Sequence, residues 1–164
     1  MAYAGELPNE SIRNAVDLSP CGAVVVSGDG PNICGHMLLS QVGYYFHVAE
    51  LYGKPRWMDR SGFQRYLNEN EKEMLGYYPV NLPDVAGAEA ELKRLLDIRW
   101  AWLVAPHNCA TFVEQVLQAG GADFGLVSNC PAVLPAGEAV ENAVAQGIQE
   151  FITWASGGYY PYSY

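Results

Sequence analysis

The 164 residues are enough for one compact domain with its own core and too few for two ordinary ones. Half of them are apolar and 16% are charged, which excludes a mostly disordered chain. A formal net charge of −9, a pI near 4.6 and the lack of any Lys or Arg cluster exclude nucleic acid as a natural partner, and leave transient membrane contact to apolar and aromatic side chains.

The first segment, Met1 to Asp17, carries Glu6, Glu10 and Asp17 and has no basic start followed by an apolar run, so no secretory signal is expected. No stretch approaches the roughly 18 to 20 apolar residues of a membrane span. Synthesis in the cytoplasm without a cleavable signal follows, and export by a specialised secretion machine is compatible with the same sequence. Four cysteines, Cys21, Cys34, Cys109 and Cys130, are too few and too scattered for a disulfide scaffold, and no CxxC pair marks a structural zinc site.

Ala23 to Ser27 reads as a buried strand closed by the turn-forming Gly28, Asp29, Gly30 and Pro31. Gly35 to Gln41 is a second strand and, after Gly43, Tyr44 to Ala49 a third, so Ala23 to Ala49 is expected to form a three-stranded antiparallel meander. From Lys54 to Val80 the pattern weakens, and Phe63 to Leu75 suits a short helix or a lid. Ala86 to Asp97 predicts a helix with Leu92, Leu95 and Leu96 on one side, and Arg99 to Val104 is aromatic and apolar.

Asn108 to Gln118 predicts a helix with Asn108 as N-cap and Gly120 and Gly121 as its stop. A last amphipathic helix is expected over Glu138 to Trp154, followed by a tyrosine-rich coil from Gly157 to Tyr164. The expected fold class is α+β: one domain over residues 1–164, with a small antiparallel sheet packed against helices.

Chemistry gathers on the Asn108 helix. Cys109, Phe112, Val113, Val116 and Leu117 fall on one stripe, so the thiol faces the core at a helix start. There the backbone N–H groups and the macrodipole are expected to lower its pKa and to bind an oxyanion. If Ser40 pairs with Gly43, His36 and His47 lie directly opposite one another, with Cβ atoms about 4.5 to 5.5 Å apart on one sheet face.

Packing of the Cys109 helix on that face would assemble thiol, imidazole and a polar partner, the elements of an activated cysteine. The competing readings are a small buried hydrophobe at Cys109 and a zinc site formed by His36, His47 and Cys109, for which no fourth ligand is evident. No cofactor and no metal are therefore expected.

The segment from His107 to Leu117, His-Asn-Cys-Ala-Thr-Phe-Val-Glu-Gln-Val-Leu, resembles the Asn-Cys-x-x-Phe-Val helix start of lecithin:retinol acyltransferase-like proteins. These are circularly permuted relatives of papain and of NlpC-type peptidases. The Gly35-His36 pair before an apolar strand, and His47 on the next strand, are also similar to the arrangement of that family. The resemblance covers roughly Cys21 to Gly121.

It implies a permuted papain-like fold with Cys109 as nucleophile, His36 as base and His47 as the residue orienting it. The Cys109 backbone N–H would be the main oxyanion donor, with Tyr44, Tyr45 or His107 as candidates for a second. The implied reaction is acyl transfer through an acyl-cysteine. Its substrate would be a phospholipid ester or a cell-wall peptide amide, and the acyltransferase branch and the aromatic surplus favour the lipid.

Similarity to bacterial toxin domains would add a cognate immunity protein or a secretion machine as partner. A catalytically inactive binding or immunity-type module is the alternative from another class.

Overall fold

The computed structural model describes residues 6–7, 12, 16–28, 35–49, 52–101 and 108–122. The expected helix over Glu138 to Trp154, the tyrosine-rich tail, His107, Cys34 and Cys130 lie outside the described residues. The described elements are β1 (Cys21–Val26), β2 (His36–Gln41), β3 (Tyr44–His47), β4 (Tyr52–Gly53), β5 (Arg56–Asp59), α1 (Arg60–Glu69), β6 (Met74–Val80), α2 (Val85–Asp97), β7 (Trp100–Ala101) and α3 (Cys109–Ala119).

Five strands form one antiparallel sheet in the order β5-β3-β2-β1-β6, and β4 pairs with β7 in a small second sheet. The class is thus α+β, with β1, β2 and β3 forming the expected meander. The two middle strands, β2 and β1, are buried along nearly their whole length because helices cover both faces. Side chains alternate between those faces.

Ala23, Met37, Leu39, Phe46 and Trp57 face α2 and α3, where they meet Leu92, Leu95, Leu96, Phe112, Val116 and Leu117 in the larger core. Val24, Val26, Leu38 and Met58 face the other way and meet Phe63 and Tyr66 of α1 in a smaller core.

The weakly patterned stretch from Lys54 to Val80 does hold a short helix, but with different bounds and with strands on either side of it. It supplies both outer strands of the sheet, β5 and β6, with α1 between them at Arg60–Glu69 rather than Phe63–Leu75. The helix is capped by Asp59, whose carboxylate accepts the Gly62 N–H at 2.7 Å. Beyond β5, Leu7 adds an isolated bridge to Trp57, its N–H donating to the Trp57 carbonyl at 2.8 Å.

The register of the central hairpin also differs from expectation. Gln41 pairs with Tyr44 and Leu39 with Phe46 around the two-residue loop Val42-Gly43, instead of Ser40 with Gly43. Gly43 takes φ +79°, a value open to glycine at no steric cost, which is why the tight loop forms there. Among the described residues no helix is long and apolar enough to cross a membrane.

Candidate active site

The two-residue shift in register keeps His36 and His47 on one face but makes them diagonal neighbours. Continuing the observed pairing places His47 opposite Leu38, two residues along from His36. Their rings meet edge to face with centroids 5.0 Å apart, and Nε2 of His36 lies 2.8 Å from Nδ1 of His47. His47 is wholly buried, with Tyr66 of α1 against its edge.

The pair stands on the α1 side of the sheet, whereas α3 packs on the opposite side. This corrects the expectation that the Cys109 helix would lie over both imidazoles.

The thiol meets the backbone of β2 from the end of its helix. In a two-residue hairpin Gln41 and Tyr44 exchange hydrogen bonds, and alternation along β2 then turns the N–H of Met37 toward the β3 side. The β2–β3 pairing has ended by that level, and the Cys109 sulfur receives the Met37 N–H there. Met37 is one peptide unit, less than about 4 Å between Cα atoms, from His36.

Thiol and imidazole pair therefore share the fork where the two strands part. Among the described residues the His36 ring bonds His47 and makes no hydrogen bond to the Cys109 sulfur.

Asn108 sets the helix start as the sequence predicts. Its side-chain oxygen accepts the Thr111 N–H at 3.0 Å, and the Thr111 hydroxyl accepts the Asn108 N–H at 2.8 Å, a complete capping box. The N–H groups of Ala110 and Cys109 itself remain directed at the sulfur.

They do not make it a thiolate. Burial, opposed by the Met37, Ala110 and Cys109 N–H groups, leaves the Cys109 thiol pushed up to about 11, which overturns the expected lowering. Burial likewise holds the His36 imidazole well below its ordinary range, and the repulsion a His36 charge would meet from His47 and Lys72 acts in the same sense. Both partners are neutral at rest.

Two residues that sequence reasoning missed complete the chain of polar contacts. Glu6 Oε1 lies 2.8 Å from His47 Nε2, and Glu6 Oε2 lies 3.3 Å from Arg56 Nε. The Glu6 side chain is 1% exposed and that of Arg56 31%. Arg56 stands opposite His47 in the β3–β5 register, so neighbouring strands present both groups to one carboxylate.

The only sequence signal was a charged residue directly before the apolar pair Trp57-Met58; nothing near Glu6 links it to a histidine 41 positions away. Among the described residues no group of three or more His, Cys, Asp or Glu is placed to hold a metal ion.

Of the candidate second oxyanion donors, Tyr44 and Tyr45 are not brought to the fork, and His107 lies outside the described residues. Tyr44 sits at the hairpin end of β3, about 10 Å along the strand from His47, and packs on Trp57. Tyr45 stacks on Phe63 with ring centroids 3.9 Å apart. Among known proteins, no family model, no curated sequence and no solved structure matches this chain.

Proposed function

We propose that the chain is a cysteine hydrolase or acyltransferase of the permuted papain-like type, acting through an acyl-cysteine at Cys109. The observation that carries this reading is the fork itself, where a buried thiol at a helix N-terminus accepts the N–H of Met37, the residue next to His36, and the His36 imidazole is backed by a His47, Glu6 and Arg56 chain. Burying a carboxylate and two imidazoles costs several kcal/mol that an apolar cluster would not, so such a chain is a functional-site signal.

The neutral pair defines the first step. On substrate binding His36 takes the thiol proton as the sulfur attacks the acyl carbonyl, and the oxyanion forms against the N–H groups at the start of α3. Collapse expels the leaving alcohol or amine, which takes the proton from His36. Water or an acceptor hydroxyl then gives a proton to His36 and attacks the acyl-cysteine, and the thiol regains its proton as the acyl group departs.

A phospholipid acyl ester is the proposed substrate. Support comes from the exposed Met74, Leu75, Tyr77 and Tyr78 of β6, and from a mainly apolar groove of about 310 Å³ at the hairpin end of the sheet, lined by Val24, Tyr45, Met74 and Tyr77 together with the polar Ser40 and Gln41. Both suit an acyl chain better than a polar wall peptide.

The test presents phospholipid vesicles and purified peptidoglycan side by side to wild type, Cys109→Ala, His36→Ala and the double variant. Cys109-dependent release of fatty acid is expected. Each single variant should lose on the order of 10⁴-fold or more, and the double variant little beyond that, because nucleophile and base act as a unit.

Wall-peptide release alone would move the substrate to a cell-wall amide and leave the Cys109 chemistry standing. A second reading, an inactive binding or immunity-type module with Cys109 as a core residue, is favoured by the raised thiol pKa and its 3% exposure. Under it, no variant changes any turnover.

A further inference from the structure

Glu6 is carried by the N-terminal segment that borders β5, outside the strands that hold the histidines, and is fastened there by the Leu7–Trp57 bridge. We propose that Glu6 is a positioning residue that fixes the tautomers of both buried imidazoles, leaving Nδ1 of His36 as the proton acceptor. The inference rests on the reading of this fork as a cysteine site.

The argument follows the hydrogens. A carboxylate held between His47 and Arg56 can only accept, so Nε2 of His47 carries the hydrogen facing Glu6 Oε1. In neutral His47 the other nitrogen, Nδ1, is then an acceptor. It faces Nε2 of His36 at 2.8 Å, so that atom is the donor and carries the second hydrogen.

Nδ1 of His36 is left with a lone pair, ready for the thiol proton. Once it is protonated, the Nε2–H still points at His47, and the positive charge is shared toward Glu6. The other groups facing the pair are Lys72, whose Nζ binds the Ser27 carbonyl at 3.2 Å, and the ring of Tyr66. A lysine ammonium only donates and touches neither of the two contacts in question, so it does not reverse the assignment.

A merely structural Glu6 would anchor the N-terminal segment and leave the tautomers alone. The deciding measurement is ¹⁵N NMR of the full-length protein, labelled at its histidine rings, at about pH 8, above the ordinary histidine range. Wild type should show both rings protonated at Nε2. In Glu6→Gln the side-chain amide can donate to His47 Nε2, so the Nδ1–H tautomer should appear at both rings.

The same substitution should lower kcat on the order of 10²- to 10⁴-fold with KM little changed, as expected for a base held in the wrong tautomer. Glu6→Asp, which keeps the acceptor, should recover part of it. A hydrogen on Nδ1 of His36 in wild type would overturn the proposal, as would a folded Glu6→Gln protein with unchanged tautomers. Because the spectrum needs no turnover, it decides the role of Glu6 even if the chain proves inactive, and the two failures are told apart.

Discussion

At Cys109 two effects of opposite sign meet. The start of α3 and the Met37 N–H favour the thiolate, while 3% exposure favours the thiol, and burial wins with a pKa of about 11. The thiolate fraction at neutral pH is then about one in 10⁴, so Cys109 should alkylate slowly at pH 7 and gain roughly tenfold per pH unit up to that value. Iodoacetamide labelling across a pH series, with peptide mapping to separate it from Cys21, Cys34 and Cys130, checks this. A rate that is already fast and flat at pH 7 would mean a thiolate–imidazolium pair and reverse the argument. Reading the helix start without the burial gave the wrong sign, because local sequence contains the dipole and not the packing above it.

The elements that position the site depend on a few backbone details. Gly35, immediately before His36, has φ +72°, and a Cβ there would lie 2.3 Å from the Val26 carbonyl oxygen. Gly35→Ala should therefore cost at least about 1 to 3 kcal/mol and displace the start of β2 with His36, whereas Asn108→Ala should cost about 1 kcal/mol through loss of the cap. Urea unfolding of both variants gives the comparison, and an unperturbed Gly35→Ala protein would contradict the geometry. The β1–β3 meander, α2 and α3 were legible because apolar periodicity marks segments buried against a core. The outer strand β6 was not, since Met74, Leu75, Tyr77 and Tyr78 are exposed and leave no clean alternation. The helix α1 was legible only in part and with shifted bounds, because it buries only Gly62, Phe63 and Tyr66 of its ten residues. The histidine pair was found through strand parity, which survives a two-residue register error. Glu6 and Arg56 were not found, because their meeting with His47 depends on where β5 and the N-terminal segment lie.

For the whole molecule, the two neutral buried groups predict a stability window. The Cys109 pKa is raised from 9 to about 11, so its contribution is fully present below about pH 9. Between those values the unfolded chain loses the proton and the folded chain keeps it, and stability falls by about 2 to 3 kcal/mol. His36 has the opposite sign. Its folded pKa is depressed below 6.5, so its contribution is present above that pH and is lost as acid protonates the unfolded chain first. Stability should thus be greatest between about pH 6.5 and 9 and decline on both sides. Other groups titrate in the same ranges; Cys21, also raised by burial, adds to the alkaline decline. The informative quantity is therefore the difference between wild type and a non-titrating variant, measured by urea unfolding at each pH. The gap to Cys109→Ala should close between pH 9 and 11 while staying constant below, and the gap to His36→Gln should close as pH falls below 6.5. A constant gap to Cys109→Ala across the alkaline range would show that the thiol is not held protonated by the fold, and would return Cys109 to an ordinary exposed-cysteine titration.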